Sequence, residues 1–100
     1  MTDKQFTAIF NDACSRSDED AFITGWQQED RKLKEQQLRK IWEAAHLAVT
    51  DIRAATGLSQ QKFADKFSVP FRTVQNWEYL NQCPDYVRLM LIRQLKILDI

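Results

Sequence analysis

Only two glycines and two prolines interrupt this chain of 100 residues, and this scarcity limits its possible folds more than any other feature. Tight hairpin turns depend on glycine and proline, whereas Gln, Lys, Glu, Leu, Arg and Ala, which are plentiful here, favour helices. Hydrophobic residues make up 44% of the chain, enough to build a core without disulfides. We therefore expect an all-α protein.

Apolar residues recur at helical spacing along the first half of the chain. One amphipathic helix is predicted from Thr2, a candidate N-cap, to about Ser15, and a second begins at Ser17 or Asp18. A later apolar pattern fits either one long helix or two abutting ones, and it comprises Leu38, Ile41, Trp42, Ala45, Val49 and Ile52. Together these segments predict helices before residue 57.

Helix boundaries are clearer in the second half. Gly57 is placed to end one helix as a C′ glycine, and Ser59 can cap the next, so two helices are expected across a very short turn. Pro70 breaks the chain again before a helix that is predicted to reach about Tyr79. Pro84 then opens a last apolar helix.

The distribution of charged residues, cysteines and histidine limits the functions expected of this chain. The net charge is zero, but residues 1–31 hold seven acids against three bases, whereas 32–100 hold seven acids against eleven bases. Cys14, Cys83 and the single histidine, His46, have neither zinc-ligand spacing nor a nucleophile set, so no metal, cofactor or enzymatic activity is expected. Without a leader-like or membrane-length apolar run, we expect a cytoplasmic protein.

The predicted helix after Pro70 carries the residues of greatest functional interest. Ala64 provides the small side chain that two closely crossing helices require, and Val74 and Trp77 fill the groove behind it. The opposite face is left to Phe71, Arg72, Gln75 and Asn76. Guanidinium and carboxamide groups match the edges of guanine and adenine, so this face is a candidate base-reading surface.

Three runs of residues carry a recognisable pattern: 52–60 (IRAATGLSQ), 63–64 (FA) and 73–78 (TVQNWE). In identity, order and spacing they agree with the lambda-repressor-like (XRE-type) helix-turn-helix DNA-binding domain, which residues 42–96 therefore resemble. This resemblance implies a domain of four to five helices at 41–100, preceded by an acidic extension of two short helices at 1–40. In that family the helix after the turn enters the major groove.

The resemblance also implies roles for individual residues. Gln60, Lys62 and Thr73 would contact the DNA backbone, and Arg53 and Glu78 would form a structural ion pair. The structural motif comprises Arg53, Gly57, Ala64, Val74, Trp77 and Glu78.

Three positions depart from the family pattern. Ser68 stands where a turn glycine is usual, so a positive φ there is expected to carry a cost. Leu80 replaces the glycine that commonly follows Trp-Glu. Phe71 occupies a position where a polar base reader is common, and it suits either a thymine methyl or a protein interface.

Two functions remain open from the sequence. The first is a sequence-specific regulator of transcription, of bacterial or mobile-element type, that binds double-stranded DNA as a homodimer, since one short helix reads too few base pairs alone. The dimer is expected through Leu95, Ile97 and Leu98, or through the N-terminal helices around Phe6, Phe10 and Trp26. The alternative is an antitoxin-like or adaptor protein that uses the helix-turn-helix, or its N-terminal helices, to bind another protein.

Overall fold

The computed structural model describes residues 1–98, which form seven α-helices and no strand. In chain order the helices are α1 (Asp3–Ser15), α2 (Glu19–Glu29), α3 (Glu35–Ala45), α4 (Val49–Thr56), α5 (Gln60–Lys66), α6 (Phe71–Leu80) and α7 (Asp85–Gln94). The described chain divides into two compact units, one that comprises Met1–His46 together with Leu98, and one at Leu47–Ile97. The all-α class expected from the sequence is confirmed for the described residues.

The first unit consists of α1, α2 and α3, each of which packs against the other two. Thr2 and Asp18 cap α1 and α2 by accepting hydrogen bonds from backbone N–H groups in the first turn, as the sequence predicts. The core is formed by one face of each helix and comprises Phe6, Ile9, Phe10, Ala13, Phe22, Ile23, Leu38, Ile41, Ala44 and Ala45. This unit therefore has an apolar interior of its own.

The second unit contains α4 to α7, with α4 packed against α6 and α7, and α5 packed against α6. Its buried residues are Val49, Ile52, Phe63, Ala64, Val74, Leu89, Leu91 and Ile92. Gly57 ends α4 in the left-handed region with φ of +72°, and Ser59 caps α5 by accepting from the Lys62 N–H. Both boundaries lie where the sequence predicts them.

The turn between α5 and α6 is a Schellman motif. Ser68 lies at C′ with φ of +54°, its N–H donates to the Asp65 carbonyl, and the Val69 N–H donates to the Ala64 carbonyl at 2.9 Å. The positive φ expected at Ser68 is thus present at a residue that bears a Cβ. Pro70 follows directly as the N-cap of α6, so only four residues separate the two helices.

The apolar pattern across residues 38–52 belongs to two helices rather than one. The break occurs at Ala48, whose backbone is extended. The Ala48 N–H donates to the Asp51 carboxylate at 3.1 Å, and this hydrogen bond caps α4. The division between units consequently falls after His46, later than the boundary at residue 40 expected from the sequence. The reason is that Leu38 and Ile41 of α3 are buried in the core of the first unit.

The residues expected to form a dimer surface are less exposed in the structure than the sequence interpretation requires. Phe6 and Phe10 are 9% and 0% exposed, so as core residues they cannot form an exposed N-terminal surface, and that expectation is wrong for both. Leu95, Ile97 and Leu98 lie beyond the end of α7 and are half-buried. No helix among the described residues is long and apolar enough to cross a membrane.

Candidate nucleic-acid interface

Helix α6 turns one face into the second unit and leaves the opposite face open. Val74 is fully buried and Trp77 is half-buried, whereas Arg72, Gln75 and Asn76 are exposed. These three residues are spaced at i, i+3 and i+4, so they lie together on one side of the helix. The sequence predicts this grouping, and the structure brings the three side chains to one surface.

Two aromatic residues extend this exposed face along α6. Phe71, in the first turn, is 36% exposed, and Tyr79, in the last turn, is 88% exposed. Tyr79 follows Asn76 by three positions and Gln75 by four, which puts it in line with them. Tyr79 is not among the residues predicted from the sequence, although the helical spacing that groups Arg72, Gln75 and Asn76 also includes it.

Behind the exposed face, an ion pair fixes α6 to α4. The Arg53 guanidinium donates to both carboxylate oxygens of Glu78, with Nε–Oε2 and Nη2–Oε1 distances of 2.9 Å. The two side chains are 22% and 8% exposed, so the pair is largely shielded from water. Arg53 and Glu78 therefore form the pair that the sequence predicts, with the bidentate geometry that makes Arg–carboxylate contacts strong.

Glu78 also joins α5 to this network. Gln60, the first residue of α5, donates its side-chain amide to Glu78 Oε2 at 3.2 Å. Arg53 in addition donates to the Leu58 carbonyl at 3.0 Å, in the loop before α5. One carboxylate thus ties the ends of three helices, which holds the exposed face of α6 in a fixed orientation.

The charges of this pair stabilise each other. The hydrogen bond from Arg53 lowers the pKa of the Glu78 carboxyl, an effect that burial opposes and that the Gln60 amide supports. The hydrogen bond to Glu78 in turn raises the pKa of the Arg53 guanidinium. Both groups are consequently ionised at neutral pH. Glu78 is the only acidic residue of α6, and because Arg53 neutralises it, the exposed face of the helix carries no unpaired negative charge.

The residues expected to contact a DNA backbone differ in exposure. Lys62 is exposed, and Gln60 and Thr73 are half-buried. Gln60 already donates to Glu78, so its amide positions α6 whether or not a phosphate is present. Ala64 is 1% exposed, in agreement with the small, buried residue predicted on α5.

An open polar recess of about 450 Å³ lies beside the exposed face of α6 and is lined by Gln60, Gln75, Asn76, Glu78 and Tyr79. Its amide and phenol groups offer both hydrogen-bond donors and acceptors. The arrangement is suited to recognising the hydrogen-bonding edges of another molecule.

Three other residues considered in the sequence, His46, Trp42 and Trp26, make contacts within the first unit. The His46 Nε2 lies 2.9 Å from the Ala13 carbonyl oxygen, and its ring packs against Trp42, which is half-buried. The Trp26 indole N–H donates to Asp12 at 2.9 Å within the first unit. Within residues 1–98, no group of three His, Cys, Asp or Glu side chains is placed to hold a metal ion.

Comparisons of this chain with protein-family models, with curated proteins and with solved structures found no match.

Proposed function

We propose that this protein is a sequence-specific regulator that binds double-stranded DNA through a lambda-repressor-like helix-turn-helix formed by α5 and α6. The observation that carries the proposal is the exposed row of Arg72, Gln75 and Asn76 on a helix fixed from behind by Val74 and the Arg53–Glu78 pair. A base-reading helix needs both properties, because a mobile helix would lose the register of its contacts.

The dimensions of α6 support this role. It has 10 residues, so at about 1.5 Å per residue it is roughly 15 Å long. The major groove is about 12 Å wide and accepts one α-helix. Arg72 is the donor for guanine in this proposal, and Gln75 and Asn76 present the donor and acceptor pair that adenine requires.

The flanking charges support a backbone-binding role for α5. Lys62 and Lys66 are exposed on this helix, and its one acid, Asp65, accepts a hydrogen bond from Gln61. We assign Lys62, with Gln60 and Thr73, to the phosphates beside the groove. Because only a few cations surround α6, we expect each copy to neutralise about two or three phosphates.

One helix of this length reaches too few base pairs for useful discrimination, so the proposal includes two copies on a pseudo-palindromic operator. Their recognition helices would then lie about 34 Å apart, one helical turn of DNA.

Binding to random duplex DNA over a salt series tests the proposal. Neutralising phosphates gives a negative slope of log K against log salt, of about 0.9 for each phosphate. Lys62→Ala should reduce the slope by about one for each copy bound, whereas Lys4→Ala, an exposed cation of the first unit, is the matched control and should leave it unchanged.

A salt-independent or undetectable interaction would contradict the proposal. It would favour the alternative, in which Phe71 and Tyr79 on the same face of α6 bind another protein, since both present exposed aromatic area.

A further inference from the structure

A cavity of about 240 Å³ lies within the second unit between α5, α6 and α7. Its walls include Phe63, Trp77, Tyr86, Val87, Met90 and Gln94. Neither the ion-pair network nor the exposed face of α6 uses this space. It is the largest concentration of aromatic side chains around one opening in the described cavities.

The lining defines the chemistry of an occupant. Phe63 and Leu91, at 0% and 5% exposed, form a dry floor, whereas Tyr86 and Met90, at 67% and 60%, form an open rim. No side chain of the lining is charged, and hydrogen-bonding groups are limited to the Gln94 amide, the Tyr86 hydroxyl and the Trp77 indole N–H. An ionised ligand would lose hydration here without gaining a counter-charge, so an uncharged ligand is favoured.

The volume limits the size of that ligand. An apolar protein cavity of about 150 Å³ is known to hold a benzene molecule. A cavity of 240 Å³ is therefore large enough for two fused rings. We propose that this cavity binds a small uncharged aromatic molecule of about that size, with one polar group directed toward Gln94 or Tyr86.

Small-ligand sites generally combine an apolar lining with a few polar groups that set orientation, and this lining follows that pattern. A flexible rim favours entry, because Met90 has an unbranched side chain that can adapt to the ligand. The proposal concerns the cavity alone and does not depend on DNA binding.

Indole is the probe for the test, because it has two fused rings, no charge and one N–H donor. The 100-residue chain is titrated with indole, and its backbone amides are followed by NMR. At a ligand efficiency usual for small molecules, the dissociation constant should lie between about 0.1 and 1 mM. The amides of Val87, Met90 and Gln94 should shift in a saturable manner, and indole-3-acetate, which carries a carboxylate, should bind at least about tenfold more weakly.

Two tyrosines provide a matched pair of variants. Tyr86 lines the cavity and Tyr79 does not, yet both are largely exposed, so Tyr86→Ala and Tyr79→Ala should both fold. Tyr86→Ala should weaken indole binding by about fivefold or more, and Tyr79→Ala by less than twofold. Val87→Phe, which extends a ring into the cavity, should weaken binding as well.

Several outcomes would overturn the proposal. These are an absence of saturable shifts up to about 5 mM indole, equal effects of the two tyrosine variants, or equal binding of the charged analogue. Concentration-dependent shifts of the same amides without ligand, with sedimentation as a dimer and no competition by indole, would identify a second copy as the occupant instead.

Discussion

Breaking the Arg53–Glu78 pair should destabilise the second unit more than any other single loss of a polar contact. Replacing Glu78 with leucine leaves the Arg53 guanidinium, which is 22% exposed, without its counter-charge. Removing one partner of a fully buried pair costs about 3–5 kcal/mol, and the residual exposure of Arg53 reduces this to about 2–4 kcal/mol. Gln60 also loses its acceptor, which adds to the cost.

A double-mutant cycle isolates the pair from these additional losses. In Arg53→Met with Glu78→Leu, neither charge is stranded, so the double variant should be less destabilised than the sum of the single variants. The coupling energy should be about 1.5–3 kcal/mol, as expected for groups in one network. Urea unfolding of the 100-residue chain measures the free energy of unfolding of each variant.

The pair between Asp12 of α1 and Arg16, the C-cap of that helix, provides the control cycle, because the Arg16 and Asp12 side chains are 50% and 29% exposed. An exposed pair spaced at i, i+4 should couple by only about 0.3–0.5 kcal/mol. Equal coupling in the two cycles, or single variants at Arg53 and Glu78 that each cost less than about 0.5 kcal/mol, would refute the reasoning from burial and bidentate geometry.

Three further predictions concern individual residues of the second unit. Ser68→Gly should stabilise by about 1 kcal/mol in urea unfolding, because φ of +54° strains a residue with a Cβ, and a loss of stability would contradict this. The lowered pKa of Glu78 contributes stability that is present above its unfolded value of about 4.5 and is lost as pH falls through the folded value. Below pH 5 the wild type should therefore lose stability faster than Glu78→Gln, and parallel curves would refute the assignment. Burial raises the pKa of Cys83 to about 11, so in Cys14→Ser its alkylation by iodoacetamide at pH 8 should be about 100-fold slower than in the urea-unfolded chain, and equal rates would contradict the burial.

Local signals in the sequence predict the helix boundaries well in the second unit. Gly57 and Ser59 specify the end of α4 and the start of α5 through a backbone angle and a hydroxyl acceptor, both of which depend on one residue. The spacing of Arg72, Gln75 and Asn76 likewise follows from the helix repeat alone. These features can be predicted because their physical cause lies within a few residues.

Features that depend on packing between distant segments are less predictable. Phe6 and Phe10 have the same helical spacing whether they face a core or a partner, and only their burial in the structure distinguishes the two cases. The cap that Asp51 provides divides residues 38–52 into two helices, although the apolar pattern continues across the break. Phe63, Trp77 and Tyr86 line the same cavity from three helices, and no sequence interval relates them.

The proposal that α6 reads bases through its exposed face is tested by comparing one arginine variant with one lysine variant. Each variant is measured on two DNA sequences. An operator is first selected from a random duplex library, and Arg72→Ala and Lys62→Ala are then measured on it and on its scrambled form. Arg72→Ala should lose about 1–3 kcal/mol on the operator and little on the scrambled duplex, so that discrimination falls. Lys62→Ala should weaken both duplexes alike and flatten the salt slope. Unchanged discrimination by Arg72→Ala, or failure of the wild type to enrich any sequence, would contradict the account.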